Sequence, residues 1–438
     1  MNTGEEKLSE SSLLSDEFVR ELVAVGEVDL LVGIPSLNDA KTIGHVAQAV
    51  EAGLIKYFPR QRVVLVNTDG GSRDGTERVF RNSALEGPTQ GLGAQTLRTV
   101  HRVSTVYSGA PNAILAMRTI LLAADLLRAK ACGIVSAELT SINPAWIDNL
   151  LRPVYKDQFD LATPVYDRPK FDGLLVTNLL YPALRALYGK QLYEPLATEF
   201  ALSGRMVSQV LEEDFWREPE ELSRPEIWIT TLALVEGLRV CQSFLGPRVL
   251  AEKNSQPDVV ETIRRAVGTL FRCLDTQASS WLANTGSQAI PTLGFRYEVN
   301  PRPIRVNRKR MVEMFRNGVT ELGSILEIIL APATLREIQH LARSANGGLD
   351  YSDELWVKTV FDFAGAYHRS VMDRDHIVQA LAPLYRGRMA SFILKNQEAT
   401  LEEYETAIER LCEQYERLRP YLLRRWKERE VGHGRDDR

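Results

Sequence analysis

Three segments of this chain gather residue types that can hold a polar ligand. Ile34-Pro-Ser-Leu-Asn-Asp39 ends an apolar run in a hydroxyl, an amide and a carboxylate. Asp69-Gly-Gly-Ser-Arg-Asp-Gly-Thr76 is richer. Its glycines let backbone approach a ligand closely, Asp69 can accept from a base or ribose, and Ser72 or Thr76 can cap a following helix. On pattern alone this segment is either a nucleotide site or an ordinary strand-to-helix turn. Ser136-Ala-Glu-Leu-Thr-Ser141 is the third. Further along, Tyr166-Asp-Arg168 offers a guanidinium whose fork suits planar anions, with a surface arginine as the plainer reading. Glu199 stands inside the mostly apolar run Pro195–Leu202, where a buried carboxylate must find partners.

Other reactive side chains read as structural. The six histidines include no HxxxH or HExxH spacing, which argues against a dedicated zinc site. His368 and Trp146 read as packing residues, and Trp228 either packs or lines a sugar pocket. Four scattered cysteines without a CxxC pair argue against a disulfide scaffold and fit a reducing compartment.

The elements that must carry these segments follow a repeating order. Asp29–Ile34 is a buried-strand run ended by Pro35, and Asn38 is placed to cap a helix with apolar spacing from Ile43 to Leu54. Arg62–Asn67 is a second strand, followed by a helix over Thr76–Leu85. A helix over Ala113–Ala129 then leads into the strand Ala131–Val135. Strands alternating with helices predict a mostly parallel sheet covered on both faces, and ligands of such sheets gather at the carboxyl ends of the strands. All three polar segments sit there.

From about Asp258 helical stretches take over, over 259–274, 312–329, 334–344, 353–371, 375–394 and 401–423. In the last, Leu401, Tyr404, Ile408, Leu411, Tyr415, Leu418 and Leu422 alternate steps of three and four behind a Thr400–Glu403 capping box. That stripe packs on its own bundle or joins a second chain, and Pro420 argues against a long coiled coil. The expected division is a polar leader over 1–28, an α/β domain over 29–257 and an all-helical C-terminal domain over 258–438.

Composition bounds the function. At 438 residues the chain is long enough for two or three domains. Its 53 Lys and Arg against 57 Asp and Glu give a formal net charge of −4, which argues against a nucleic-acid-coating role. The clusters Arg302–Arg310 and Arg424–Arg429 read as a solvated linker and a frayed end. The polar N-terminus lacks a secretory pattern, and the apolar stretch Ala113–Leu127 is broken by Arg118 and Asp125. A cytoplasmic protein without a membrane span is the expectation.

Ile34-Pro-x-x-Asn38 followed some thirty residues on by Asp69-Gly-Gly-Ser-x-Asp-Gly-Thr76 resembles the opening of the family 2-type nucleotide-sugar glycosyltransferases with the GT-A fold. Ser136–Ile147 is similar to the stretch that carries the Asp-x-Asp metal motif in mannosylglycerate synthases. Glu194-Pro-Leu-Ala-Thr-Glu199 resembles a segment shared by those enzymes and glucosyl-3-phosphoglycerate synthases. The likeness covers roughly residues 29–255, and the helical tail around Ala366-Tyr-His368 matches loosely. It implies a GT-A, Rossmann-like domain and retaining transfer of a hexose from a nucleotide-sugar to a small polar or anionic acceptor of the glycerate or phosphoglycerate type. By position, Pro35, Asn38, Asp39, Asp69, Gly109 and Ser136 would hold the donor nucleotide. Arg168, Glu199 and Thr230 would meet the acceptor, and Glu138 would bring Mg²⁺ or Mn²⁺ to the diphosphate. No nucleophile is assigned, since front-face attack assisted by the leaving phosphate is what the resemblance implies. A homo-oligomer is compatible with it.

Departures from the pattern cluster around the metal. Ser136-Ala-Glu138 keeps one carboxylate where relatives carry two, and Gly109-Ala-Pro111 lacks the lysine of a Gly-Lys-Gly segment. The histidine expected past the sheet falls near Ala251, and an acidic residue expected at the acceptor falls near Thr230, with Glu226 close by. These losses raise a second reading, a relative that binds nucleotide without transfer.

Overall fold

The computed structural model describes residues 13–84, 100–107, 112–216, 224–251, 258–296, 307–344 and 349–428. The chain divides into two compact units. The first takes Met1–Arg168, Glu194–Ser255 and Ile290–Pro301, and the second Pro169–Tyr193, Gln256–Ala289 and Arg302–Arg438.

Ten strands occur among the described residues: β1 Leu30–Ser36, β2 Val63–Asp69, β3 His101–Val106, β4 Ala131–Ile134, β5 Leu161–Asp167, β6 Lys190–Gln191, β7 Phe200–Ser203, β8 Val240–Pro247, β9 Gln288–Ala289 and β10 Thr292–Leu293. Eight of them form the sheet of the first unit, in the order β10-β8-β5-β7-β4-β1-β2-β3. Every neighbouring pair is parallel except those of β7, which runs antiparallel to both β4 and β5. The helices of this unit are α1 Asp16–Val25, α2 Ile43–Tyr57, α3 Thr76–Asn82, α4 Ala113–Leu126, α5 Pro144–Tyr155, α6 Gly204–Glu212 and α7 Pro225–Val235.

Strand alternation shows that both faces are covered. Leu30, Val32 and Ile34 point into a core shared with Ile43, Val46 and Val50 of α2 and Trp146, Ile147 and Leu150 of α5. Gly33, between them, faces the other way, where a Cβ would lie 2.4 Å from Ile120 of α4. Burial on both sides explains why β1 and β2 read as continuous apolar runs. Each fully buried Val, Leu or Ile contributes about 1.5–3 kcal/mol. The expected α/β architecture, a mostly parallel sheet between helical layers, is present.

The second unit is built mainly of helices, the longest being Val259–Thr276, Arg308–Glu321, Asp353–Arg369, Arg374–Asn396 and Leu401–Arg417. β6 and β9 add a small parallel ribbon to it, while Thr292–Leu293, also inside the stretch expected to be all-helical, extends the main sheet as β10. A π-helical turn at Val176–Leu180 leaves the Asn178 carbonyl to accept from Trp356 Nε1 at 2.8 Å and Tyr415 Oη at 3.2 Å. The Thr400–Glu403 capping box forms. Tyr404, Leu411, Tyr415 and Leu422 are buried, with Tyr404 edge-on to Phe171 and Tyr415 edge-on to Phe361, so the stripe packs on its own bundle.

Several local expectations need correction. The helix expected over 401–423 ends at Arg417 and restarts at Arg419, because Pro420 lacks the N–H that continuation requires and sits in the first turn of the new helix. The helix expected over 312–329 likewise breaks at Leu322. Arg425, expected at a frayed end, is half-buried and its Nε meets the fully buried Asp362 at 2.6 Å. Arg302, Arg305 and Arg429 lie outside the described residues, while Arg308, Lys309 and Arg310 form an exposed first helical turn. The four cysteines are buried and unpaired, and burial pushes the Cys132 thiol up to about 12. No helix among the described residues is long and apolar enough to cross a membrane.

Candidate functional site

The carboxyl ends of β1 and β2 are stitched into one structure. Asn38 has φ 57°, a left-handed conformation that asparagine tolerates. It does not cap α2, whose first turn follows Thr42 without a side-chain cap. Instead its N–H donates to Ser72 Oγ at 2.7 Å, and its Oδ1 accepts from Arg73 N at 3.0 Å. Asp39 N donates to Thr76 Oγ1 at 2.9 Å, and Ala40 N donates to Asp74 Oδ2 at 3.0 Å. Ser36 Oγ donates to Asp69 Oδ2 at 2.9 Å. The two motifs, thirty residues apart in sequence, thus form a single double loop.

Asp69 organises that loop. Its Oδ1 accepts from Gly71 N at 2.9 Å and Ser72 N at 2.6 Å, and its Oδ2 accepts from Ser36 and from Ser72 Oγ at 2.7 Å. Four donors on two oxygens fill a carboxylate. Gly71 and Gly75, both at φ 85°, supply left-handed turns that side chains resist. Neither Ser72 nor Thr76 caps α3 as expected; Gly75 precedes it, and Thr76 Oγ1 donates to Asp74 Oδ1 at 2.5 Å. Burial works against the Asp74 charge, but its bonds from Thr76 and Ala40 outweigh it, so the carboxyl lies below its ordinary value.

Around this loop lie residues that the sequence did not single out. Asn67 Nδ2 donates to the Ile34 carbonyl at 2.9 Å and to Ser36 Oγ at 2.8 Å, and Ser104 Oγ donates to Asn67 Oδ1 at 2.9 Å. A polar residue ending an apolar strand was the available signal. Tyr107 is buried past β3, and its N–H donates to the Asp69 carbonyl at 3.3 Å. Burial first, and the Asp69 charge with it, raises the Tyr107 phenol above its ordinary value. Pro35 is half-buried in β1 opposite Thr68, Asp39 is buried with Oδ2 accepting from Leu37 N at 2.8 Å, and Gly109 lies outside the described residues.

The β4 end carries Ser136 and Glu138, both half-buried. Ser136 Oγ accepts from Glu138 N at 3.3 Å. Backbone bonds hold this segment against residues 249–251, with Ala251 N donating to the Glu138 carbonyl at 2.9 Å and Thr140 N to the Val249 carbonyl at 2.9 Å. Ala251 therefore lies directly beside Glu138. Among the described residues, no group of three or more His, Cys, Asp and Glu side chains could hold a metal ion. One carboxylate and a hydroxyl engaged with its own turn do not fit a resident divalent cation.

The end of β5 holds a second constellation. Tyr166 donates to Glu199, which is fully buried, and Arg248 Nε donates to the same carboxylate at 3.0 Å. Arg248 Nη2 donates to Thr198 Oγ1 at 3.0 Å, and Thr198 Oγ1 donates to Glu199 Oε1 at 2.6 Å. Arg168 Nε and Nη2 grip the two oxygens of Glu194 at 2.7 and 2.8 Å. The Arg168 and Arg248 guanidiniums lie 5.2 and 5.5 Å from the Tyr166 ring centroid. Burial foremost, and the Glu199 charge next, pushes the Tyr166 phenol well above its ordinary range, so it is protonated and donates. Burial opposes the Arg248 charge, yet Glu199 more than offsets it and raises its pKa. Arg248 was missed because its partner lies 49 residues away in sequence.

Thr230 and Glu226 are buried on α7. Trp146 is buried with its ring 6.1 Å from that of Tyr166, and Trp228 stacks on Phe215 with centroids 5.0 Å apart. In the second unit, His368 Nδ1 lies 2.6 Å from Asp275 Oδ1 and its ring stacks on Trp426 at 4.0 Å, so it packs and pairs at once.

No family model and no curated protein matches this sequence. Solved structures similar to it include glucosyl-3-phosphoglycerate synthase from Mycobacterium tuberculosis in complex with phosphoglyceric acid, at 19% identity and a TM-score of 0.41, covering 63% of this chain and 91% of that one. The same enzyme in complex with Mg²⁺ and UDP is 18% identical at a TM-score of 0.40, covering 60% of this chain and 83% of that one. A mycobacterial protein is 21% identical at a TM-score of 0.42, covering 60% of this chain and 78% of that one.

Proposed function

We propose that the chain is a nucleotide-sugar glycosyltransferase, moving a hexose from a nucleoside-diphosphate donor to a small polar acceptor in the cytoplasm. The observation that carries this reading is the double loop of residues 34–40 and 69–76. It joins two sequence motifs at the carboxyl ends of adjacent parallel strands, where ligands of such sheets bind. Pro35, Asn38 and Asp39 present the nucleoside face, while Asp69 fixes the loop that bears it. Ser136 flanks the donor, and Glu138 lies at the diphosphate end.

The acceptor sits at the carboxyl end of β5, near Arg168 and Glu199, and Thr230 of α7 is the third residue assigned to it. In the transfer, an acceptor hydroxyl oxygen bonds to the anomeric carbon and the bond from that carbon to the diphosphate breaks. The hydroxyl proton leaves with the diphosphate oxygen, on the same face, which gives retention. The protein orients the two substrates and excludes water. No step is routed through a metal, because the described residues do not fit one.

That misfit favours a second reading, a relative that binds the nucleotide without transfer. Incubation with labelled uridine- and guanosine-diphosphate sugars and a panel of small polyols and hydroxy acids separates the two. Transfer or donor hydrolysis supports the enzyme. Binding with neither supports the non-catalytic relative, and no binding removes both.

A further inference from the structure

A groove of about 560 Å³ lies within the second unit, between the helix Arg308–Glu321 and the helix Arg374–Asn396. Its floor is the closest approach of these helices. A Cβ on Gly318 would lie 2.2 Å from Pro383, and one on Gly387 would lie 2.5 Å from Phe315. Pairing 318 with 383 and 315 with 387 makes the two helices antiparallel. The volume falls in the range of small-molecule sites, about 300–1,000 Å³.

The two ends of the groove differ. Arg386 lines one end, and His376, ten residues earlier on the same helix, lines the other, about 15 Å away at the helical rise. Glu321 stands towards the His376 end, as the antiparallel pairing requires. Between the ends the lining is apolar, from Met314, Leu322, Ile325 and Ala380.

Arg386 is the unusual member. It is half-buried, and its guanidinium makes no hydrogen bond or ion pair among the described residues. Arg185, Arg388 and Arg425 of the same unit, buried or half-buried too, all meet carboxylates. A guanidinium keeps its charge, so a desolvated one without a partner is costly. Burial foremost lowers its pKa, with Asp258 opposing the shift and Arg310 adding to it. Two cations against one carboxylate leave one positive charge in surplus at this end.

We infer that the groove binds a medium-chain organic carboxylate, its carboxylate on the Arg386 guanidinium and its hydrocarbon chain along the apolar lining. The parallel N–H groups of a guanidinium match a carboxylate in a way no neutral head group does. One surplus positive charge balances a monoanion, whereas a phosphate dianion would carry uncompensated charge beside Asp258. The apolar lining favours a chain that a short acid lacks. Every residue of this groove belongs to the second unit, and none serves the transferase reading.

Calorimetric titration of the full chain with octanoate, octanol, octyl phosphate and acetate tests it. Octanoate should bind at least about tenfold more tightly than octanol or acetate, and about threefold more tightly than octyl phosphate. Arg386→Gln should weaken octanoate about tenfold and leave octanol within about threefold. Asn317 lines the same groove from the facing helix and is exposed. Asn317→Asp, nearly isosteric, adds a negative charge there and should weaken octanoate about fivefold without moving octanol. Either variant decides should the other fail to fold. Failure of octanoate to bind, any of the other three probes matching it, or indifference of octanoate to both substitutions would overturn the inference.

Discussion

The backbone N–H of Asn38 donates to Ser72 Oγ at 2.7 Å, and that same hydroxyl donates to Asp69 Oδ2 at 2.7 Å. One serine thereby relays the first motif to the carboxylate that shapes the second. Ser72→Ala removes both bonds without changing the backbone. It should cost about 1–2 kcal/mol of stability and lower the melting midpoint by about 2–6 °C. Ser72→Thr, which keeps a hydroxyl, should recover most of that loss in a thermal melt.

Glu199 and Arg248 are a buried pair, with side-chain exposures of 0% and 17%. Removing one partner strands the other. Arg248→Ala should destabilise the fold by about 3–5 kcal/mol in urea denaturation, and Arg248→Met combined with Glu199→Gln should lose less than Arg248→Ala alone. Equal losses would show that the arginine contributes by packing and not by pairing.

Metal dependence has a defined expectation. Nucleotide-sugar affinity should change by less than about threefold on adding EDTA or Mn²⁺, because a single carboxylate offers a hard cation little. Ser136→Asp together with Ala251→His places a second carboxylate and an imidazole beside Glu138. That variant should gain about tenfold in affinity with Mn²⁺, read by calorimetry with and without the ion.

Asp160 gives a pH signature at the other end of the sheet. Burial opposes its charge, but bonds from Arg239 N at 3.0 Å, Arg205 Nη2 at 2.6 Å and Ser203 Oγ at 3.0 Å outweigh it, so its pKa lies below 3.8 in the folded state. A lowered folded pKa means stability that is full above the unfolded value and is lost as pH falls through the folded one. Asp160→Asn should be less stable by about 1–3 kcal/mol at neutral pH. The gap to the native chain should narrow below about pH 4, as measured by chemical denaturation across pH.

The sequence disclosed what local pattern controls. β1, β2 and β4 were legible because both their faces are buried and their runs end in turn residues. β3 was not, since His101-Arg-Val-Ser-Thr-Val106 mixes exposed and buried residues at the sheet edge. Asn38 looked like a helix cap because caps and left-handed turns favour the same side chain, and only its partners on residues 72–73 separate the two. The Tyr166–Glu199–Arg248 cluster joins three distant stretches, and of it only the need of Glu199 for partners could be read. The filled fork of Arg168 was invisible for the same reason: its partner Glu194 lies 26 residues away.

The central claim is that the double loop binds a nucleoside diphosphate sugar, and calorimetric titration of UDP-glucose and GDP-mannose into the native chain and Ser72→Ala tests it most directly. The account predicts saturable binding of at least one donor to the native chain, weakened about tenfold in the variant. Binding of neither donor, or equal binding to both proteins, would contradict it.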